Sequence, residues 1–273
     1  MQQYAISPKE MLSSLWLHRH IIMQMSKRDA FGRYRGSLIG LAWSFFNPLL
    51  MLIVYTFVFS VVFKSRWGVD PNESRTDFAL ILFVGLTIHT LFADCINRAP
   101  LLITSNVNYV KKVIFPLEIL PWVTLGSSIF QALINLLVLL IAQLFLNHYF
   151  PWTIIFFPIV LIPLVFVTMG FSWFLSSIGV YLRDVSQVTG IFTTVLLFMS
   201  GVFFPITSLP EQYQWWLQLN PLAALINCFR DILIFGQLPH FLSWSLLTGT
   251  GAMIAWAGFA WFQKTRKGFA DVI

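Results

Sequence analysis

Charge is what this chain has least of. Only 10% of its 273 residues are Asp, Glu, Lys or Arg, while 58% are hydrophobic. A soluble domain carries about 25% charged residues, so a mainly water-facing surface is excluded and the solvent around most of the chain is lipid. The 11 acids stand at the edges of apolar runs, which leaves no acidic cluster of the kind a lipid-using glycosyltransferase needs. The loop G-x-x-x-x-G-K-[ST] is absent, so ATP is not bound by that route, and neither H-E-x-x-H nor G-x-S-x-G occurs. The two cysteines, Cys95 and Cys228, lack metal-ligand spacing and read as small buried side chains. No long basic face survives between the apolar runs, which argues against nucleic acid as a partner. The first 36 residues hold no continuous apolar run, so no cleavable signal is expected. No internal repeat is evident, against a secondary transporter of inverted repeats.

What is there is long apolar sequence. An unpaired charge at the bilayer centre costs about 2.5–3.5 kcal/mol or more, so charge-free windows mark the spans. They predict an all-α integral membrane protein with six spans near 38–63, 77–97, 118–146, 152–182, 185–204 and 241–262. The second is short, between Asp77 and Asp94. The 119–182 window breaks into two helices at Asn147–Trp152, and Pro158 and Pro163 predict an irregular start or kink in the second of them. Gly170, Ser172, Ser176, Ser177 and Gly179 permit close helix approach there, either within the chain or at a dimer seam. Thirteen Lys and Arg fall on one side of these spans and four (Lys64, Arg66, Arg75, Arg230) on the other, which predicts both termini in the cytoplasm. The domains expected are a cytoplasmic N-terminus over 1–36, the six-span domain over 37–263 and a tail over 264–273.

Three segments are not spans. Ser7-Pro8 starts a helix, and Met11, Leu12, Leu15, Trp16, Ile22 and Met23 predict one amphipathic interfacial helix over 8–30. The basic residues Lys27, Arg28, Arg33 and Arg35 follow; they either orient the first span and touch anionic headgroups or bind a phosphate-bearing substrate. The 104–116 loop has the length of a short amphipathic helix ended before Pro116, and Val107, Val110 and Ile114 would place an apolar face toward a partner groove. Residues 205–239 are aromatic and cut by Pro205, Pro210, Pro221 and Pro239. Two short outer helices fit, 211–219 with Trp215 and Trp216 at headgroup depth and 222–235, as a re-entrant pair. Asp94 and Arg98 are spaced to pair on one helix face, and Arg230 is expected to pair locally with Asp231.

Aromatic residues make up 17% of the chain. Most pack or face lipid. Trp43, Phe46, Tyr55 and Phe59 in the first span and Phe198, Phe203 and Phe204 in the fifth are candidates to line a path, since flat rings stack on the C–H faces of sugars.

Several stretches together resemble one family. Arg33–Trp43 with Asn47-Pro48 and Phe57-Val58-Phe59, Asn106–Pro121, Tyr181–Val185, and Phe203-Phe204-Pro205 with Leu209-Pro210 and Asn220-Pro221 are similar to polysaccharide-exporting ABC transporter permeases of the type-2 ABC membrane family, over almost the whole chain. The resemblance implies a permease that is not an enzyme. It implies a homodimer working with two copies of a separate ATPase subunit, which binds the ATP and Mg, and exporting a lipid-linked polysaccharide such as O-antigen, capsule or teichoic acid across the bacterial inner membrane. It further implies that Asn106, Val107, Asn108, Tyr109, Val110, Lys111, Lys112, Phe115 and Pro116 couple to the ATPase, with the interfacial helix a second contact. Pro205, Pro210, Trp215, Trp216 and Pro221 would then belong to an outer gate. An ABC permease for a small amphipathic drug or lipid and a non-transporting membrane scaffold are the alternatives.

Overall fold

The computed structural model describes residues 6–62, 67, 75–111, 115–148 and 150–272. Lys112 and Ile114 of the 104–116 loop, the end of the first span at Phe63, and the outer charges Lys64 and Arg66 lie outside the described residues. Helices account for nearly all of what is described: α1 (Pro8–Leu17), α2 (Arg19–Gly32), α3 (Trp43–Thr56), α4 (Arg75–Arg98), α5 (Val107–Lys111), α6 (Leu120–Asn147), α7 (Phe157–Tyr181), α8 (Val185–Met199), α9 (Glu211–Gln218), α10 (Pro221–Arg230), α11 (Phe241–Thr265) and α12 (Phe269–Val272).

Among the described residues five stretches are long and apolar enough to cross a membrane: Gly40–Phe59, Asp77–Leu101, Leu117–Asn147, Trp152–Tyr181 and Phe241–Val272. The fifth expected span, near 185–204, is shorter than the sequence predicts. Helix α8 has 15 residues and rises about 22 Å, against a hydrocarbon core of about 30 Å. It stops because Gly201 takes a left-handed φ of +62°, a conformation glycine adopts without strain, turning the chain before Phe203 and Phe204.

Helix α4 is the central element. Of its apolar stretch 72% is buried, against 17% for that of α3, and it packs against α3, α6, α7, α8 and α10. The outward faces of the other spans are apolar, as Leu50, Ile53, Ile191 and Met253 illustrate, which suits lipid and not water. The tightest helix pair is α7 with α11. Gly258 meets the backbone of Gly170, Gly170 in turn meets that of Ile254, and Gly179 meets that of Pro100. Within this chain, then, the small residues of α7 serve its own packing. Pro158 sits at the α7 start, where a missing N–H is harmless, and Pro163 lies inside the helix.

The predicted interfacial helix is two helices. Ser7 caps α1, its Oγ accepting from the Glu10 N–H at 3.2 Å, and the chain breaks at His18. The break lets α1 follow α11 while α2 lies along α6. Met11, Ser14, Ile22 and Ala30 turn inward, while Leu12, Trp16 and Met23 stay exposed.

Candidate functional site

Helix α2 is seated on α6 by the smallest possible contact. Gly126 leaves room for Ser26, whose Oγ donates to the Val123 carbonyl at 3.1 Å. One turn further on, α2, α4 and α6 are tied by a charge-balanced network. Arg98 Nη2 meets Asp29 Oδ1 at 2.7 Å, and Arg33 Nη2 meets Asp94 Oδ2 at 2.6 Å. Ser127 Oγ donates to Asp29 at 2.6 Å and Ser128 Oγ to Asp94 at 2.5 Å. Asp94 and Arg98 do share a helix face, 3.8 Å apart, but the shorter contacts cross between helices. Burial pushes the Asp29 carboxyl up; hydrogen bonds from Arg98 and Ser127 and the charges of Arg98 and Arg33 outweigh it and hold Asp29 below its ordinary value. The carboxylates and guanidiniums are a quarter to a third exposed, so each pair alone is worth little and the network matters more than its members.

This network is one wall of a cavity of about 710 Å³, lined also by Arg28, Asn97, Leu101, Ser105 and Asn106. Only part of the predicted basic set comes together here. Arg28 and Arg33 face the cavity, joined by Arg98, which the sequence reading had paired only with Asp94. Lys27 lies on the other side of α2, over the Phe31 ring at 5.9 Å, beside a second, apolar groove. Arg35 is exposed beyond the end of α2. The four residues therefore do not form one site, because helical spacing turns Lys27 away from Arg28.

The 104–116 segment abuts the same cavity. Asn106 Nδ2 donates to the Leu102 carbonyl at 2.8 Å and closes a turn that leads into α5. Asn108 and Lys111 are exposed, while Val107, Tyr109, Val110 and Pro116 are half-buried. Tyr109 stacks on Phe115, ring centres 4.4 Å apart and planes 13° from parallel, and α12 packs against α5. Val107 and Val110, expected to face a partner groove, are thus half-buried within the chain, and the packing of α12 on α5 is a contact too distant in sequence to foresee.

The predicted aromatic path is divided. Tyr55 and Phe59 pack inward, with Phe59 5.2 Å from Phe78; Trp43 is half-buried and Phe46 exposed. Phe198 is exposed beside Phe203, centres 5.3 Å apart, and Phe204 is half-buried. Helices α3 and α8 both pack against the central α4.

Residues 205–239 hold two short helices, α9 and α10. Pro210 precedes α9, and Trp215 stacks on Trp216 at 4.1 Å; Pro205 opens the turn before them. Pro221 begins α10, whose cap Asn220 accepts from the Leu222 N–H at 3.0 Å and donates to the Met199 carbonyl at 3.1 Å. Leu222, Leu225, Ile226 and Phe229 bury α10 against the bundle. Arg230 departs from expectation. Its guanidinium turns away from Asp231, 2% exposed, and donates to the carbonyls of Gly201 and Val202, each at 3.0 Å, and Ile81 at 3.3 Å, under the Trp67 ring. A lone arginine in an apolar helix is the signal; the acid beside it in sequence is not its hydrogen-bond partner. Among the described residues no group of His, Cys, Asp or Glu is placed to hold a metal ion.

A model of the family described as "ABC-2 type transporter" matches residues 21–234. The chain is 25% identical over 265 residues to "O-antigen export system permease protein RfbA" of Myxococcus xanthus, covering 96% of this chain and 99% of that protein. It is 27% identical over 260 residues to the protein of the same name from Klebsiella pneumoniae, covering 93% and 95%. It is 25% identical over 246 residues to "Polysialic acid transport protein KpsM" of Escherichia coli, covering 88% and 90%.

Proposed function

This chain belongs to the ABC-2 type transporter family, and from that membership we propose that it is the membrane subunit of an ATP-driven exporter of a lipid-linked polysaccharide. The observation that carries the proposal is end-to-end similarity to permeases named for O-antigen and polysialic acid transport. A drug-exporting permease or a scaffold would not account for it as well.

On this reading two copies of the chain assemble with two copies of an ATPase subunit, which holds ATP and Mg. The end of the bundle bearing α1, α2, α5 and α12 faces the cytoplasm, in the bacterial inner membrane, with both termini inside. Helix α8 and the turn at Gly201 make the fifth of six crossings. Exposed Asn108 and Lys111 on α5, with Lys112, meet the ATPase. The Arg28-lined cavity receives the anionic head of the cargo, since guanidinium groups match phosphate oxygens in pairs. Helices α9 and α10 close the outer mouth. Transport follows because nucleotide and cargo each prefer one of two arrangements of the spans.

The test is co-purification. Reversing charge at Lys111 and Lys112 to Glu is expected to release the ATPase subunit while the chain stays in the membrane. Undiminished ATPase recovery and undiminished surface polysaccharide would remove the coupling assignment.

A further inference from the structure

The loop that leaves α5 is held at its exit by one side chain from the far end of the chain. Arg266 follows α11, and its guanidinium fork spans Pro116. Nη2 donates to the Phe115 carbonyl at 2.8 Å and Nη1 meets Glu118 Oε2 at 2.6 Å, with both side chains only 11–12% exposed. Glu118 is itself a junction. Its other carboxylate oxygen accepts from Ser14 of α1 at 3.3 Å, and its backbone carbonyl accepts from Trp173 Nε1 of α7 at 3.0 Å.

A largely desolvated ion pair is no better for stability than an apolar pair of the same volume, so its merit here is geometric. Arginine presents two donors in a fixed plane, and that plane sets the Phe115–Glu118 turn against the end of α11. Phe115 in turn stacks on Tyr109 of α5. The C-terminal segment is anchored beyond Arg266 by fully buried Phe269 and before it by the Tyr181 hydroxyl, which donates to the Thr265 carbonyl at 2.9 Å. Since α7 and α11 meet backbone to backbone at Gly170 and Gly258, a force reaching either is shared by both.

We infer that Arg266 is a positioning residue that transmits movement of the α5 segment to the α7–α11 pair, so that the C-terminal segment takes part in coupling ATP hydrolysis to export. This rests on the assignment of α5 as the ATPase contact. Without the fork, displacement of α5 would reach the C-terminal segment only through non-directional packing, that of α12 on α5 included. With it, the fourth and sixth spans move with the loop.

The experiment uses the complex of this chain with its ATPase subunit, purified and reconstituted in bilayers, alongside cells in which the chain is replaced by each variant. The variants are Arg266→Gln, Glu118→Gln, the two combined, and Arg266→Lys. ATPase recovery, ATP hydrolysis by the complex and extracted surface polysaccharide are measured together. Arg266→Gln is expected to retain the ATPase subunit and hydrolysis near wild-type levels while export per ATP falls about tenfold, within the usual range of coupling between sites. The double variant is expected to be no worse than the poorer single one, since both remove the same contact. Arg266→Lys keeps the charge and the Glu118 pair but has no second arm, so its export per ATP is expected to fall between the two.

Unchanged export per ATP in Arg266→Gln overturns the inference. So does loss of ATPase recovery in proportion to export, which would make Arg266 a docking residue. Should Arg266→Gln fail to accumulate in the membrane, the Arg266→Lys ratio decides, and an unchanged ratio overturns the inference. The α5 assignment is tested apart from this by the Lys111 and Lys112 reversals, which read ATPase binding and not the export ratio.

Discussion

Gly85 and Arg230 are complementary. A Cβ built on Gly85 of α4 would stand 2.8 Å from Arg230 Nη2, so the absent side chain is the space the guanidinium occupies. From that space it caps the carbonyls of Gly201 and Val202 and ties α10 to the end of α8. A charge so placed is tolerated because every direction around it offers an acceptor or a ring face.

Replacing Arg230 with Met therefore leaves buried carbonyls without donors, each at a cost of about 1–3 kcal/mol. The expected result is a lower melting temperature of the detergent-solubilised protein. Gly85→Ala is expected to act in the same direction by displacing the guanidinium. A melting curve unchanged in both variants would remove Arg230 as the tie between α8 and α10.

The α7–α11 contact gives a second, contrasting pair. At Gly258 any side chain runs into the Gly170 backbone, whereas Gly249 on the same helix has nothing within 4 Å. Gly258→Val is expected to destabilise the protein by about 1–3 kcal/mol, the usual range for overpacking, with Gly249→Ala close to neutral. Thermal unfolding of the two variants side by side checks the difference.

Asp29 predicts a pH dependence of definite sign. Its folded-state value lies below the ordinary 3.8, so in acid the native state binds fewer protons than the unfolded chain. The stability it contributes is fully present above the ordinary value and is lost as pH falls through the lower, folded one. The protection of the α2 amides, their exchange rate relative to the intrinsic rate at each pH, is expected to be flat from about pH 8 to pH 5 and to fall below about pH 4. Asp29→Asn should abolish that acid step; an acid step of unchanged size would assign it to other groups.

The two sides of α2 predict different outcomes for neighbouring cations. Arg28 faces the polar cavity and Lys27 does not. A charge-assisted contact to a phosphate is worth about 1.5–3 kcal/mol, so Arg28→Ala is expected to reduce surface polysaccharide about tenfold or more, with Lys27→Ala near wild type. Equal loss in both would return the basic cluster to headgroup contact and orientation.

Much of this molecule was legible before any coordinates. Scarce charge and long apolar windows marked where the long apolar helices lie, because in lipid the backbone must close its hydrogen bonds locally. Proline and asparagine marked α9 and α10, and Ser7-Pro8 the start of α1, because caps are local chemistry. Local rules did not reveal the split at His18, which arises because α1 and α2 follow different partners, nor the short α8, which stops at Met199 ahead of Gly201.

Among the site residues, the sequence determined which side chains carry charge and which stretch is amphipathic. Only the tertiary structure decided their partners. Arg33 meets Asp94, Arg98 meets Asp29, Arg230 turns from the adjacent Asp231 to three carbonyls, and Arg266 reaches back to Phe115 and Glu118 near the start of α6. Those pairings join residues far apart in sequence, and no periodicity records them. They form because burial makes each polar group find a donor or acceptor among whatever the packed helices bring within reach.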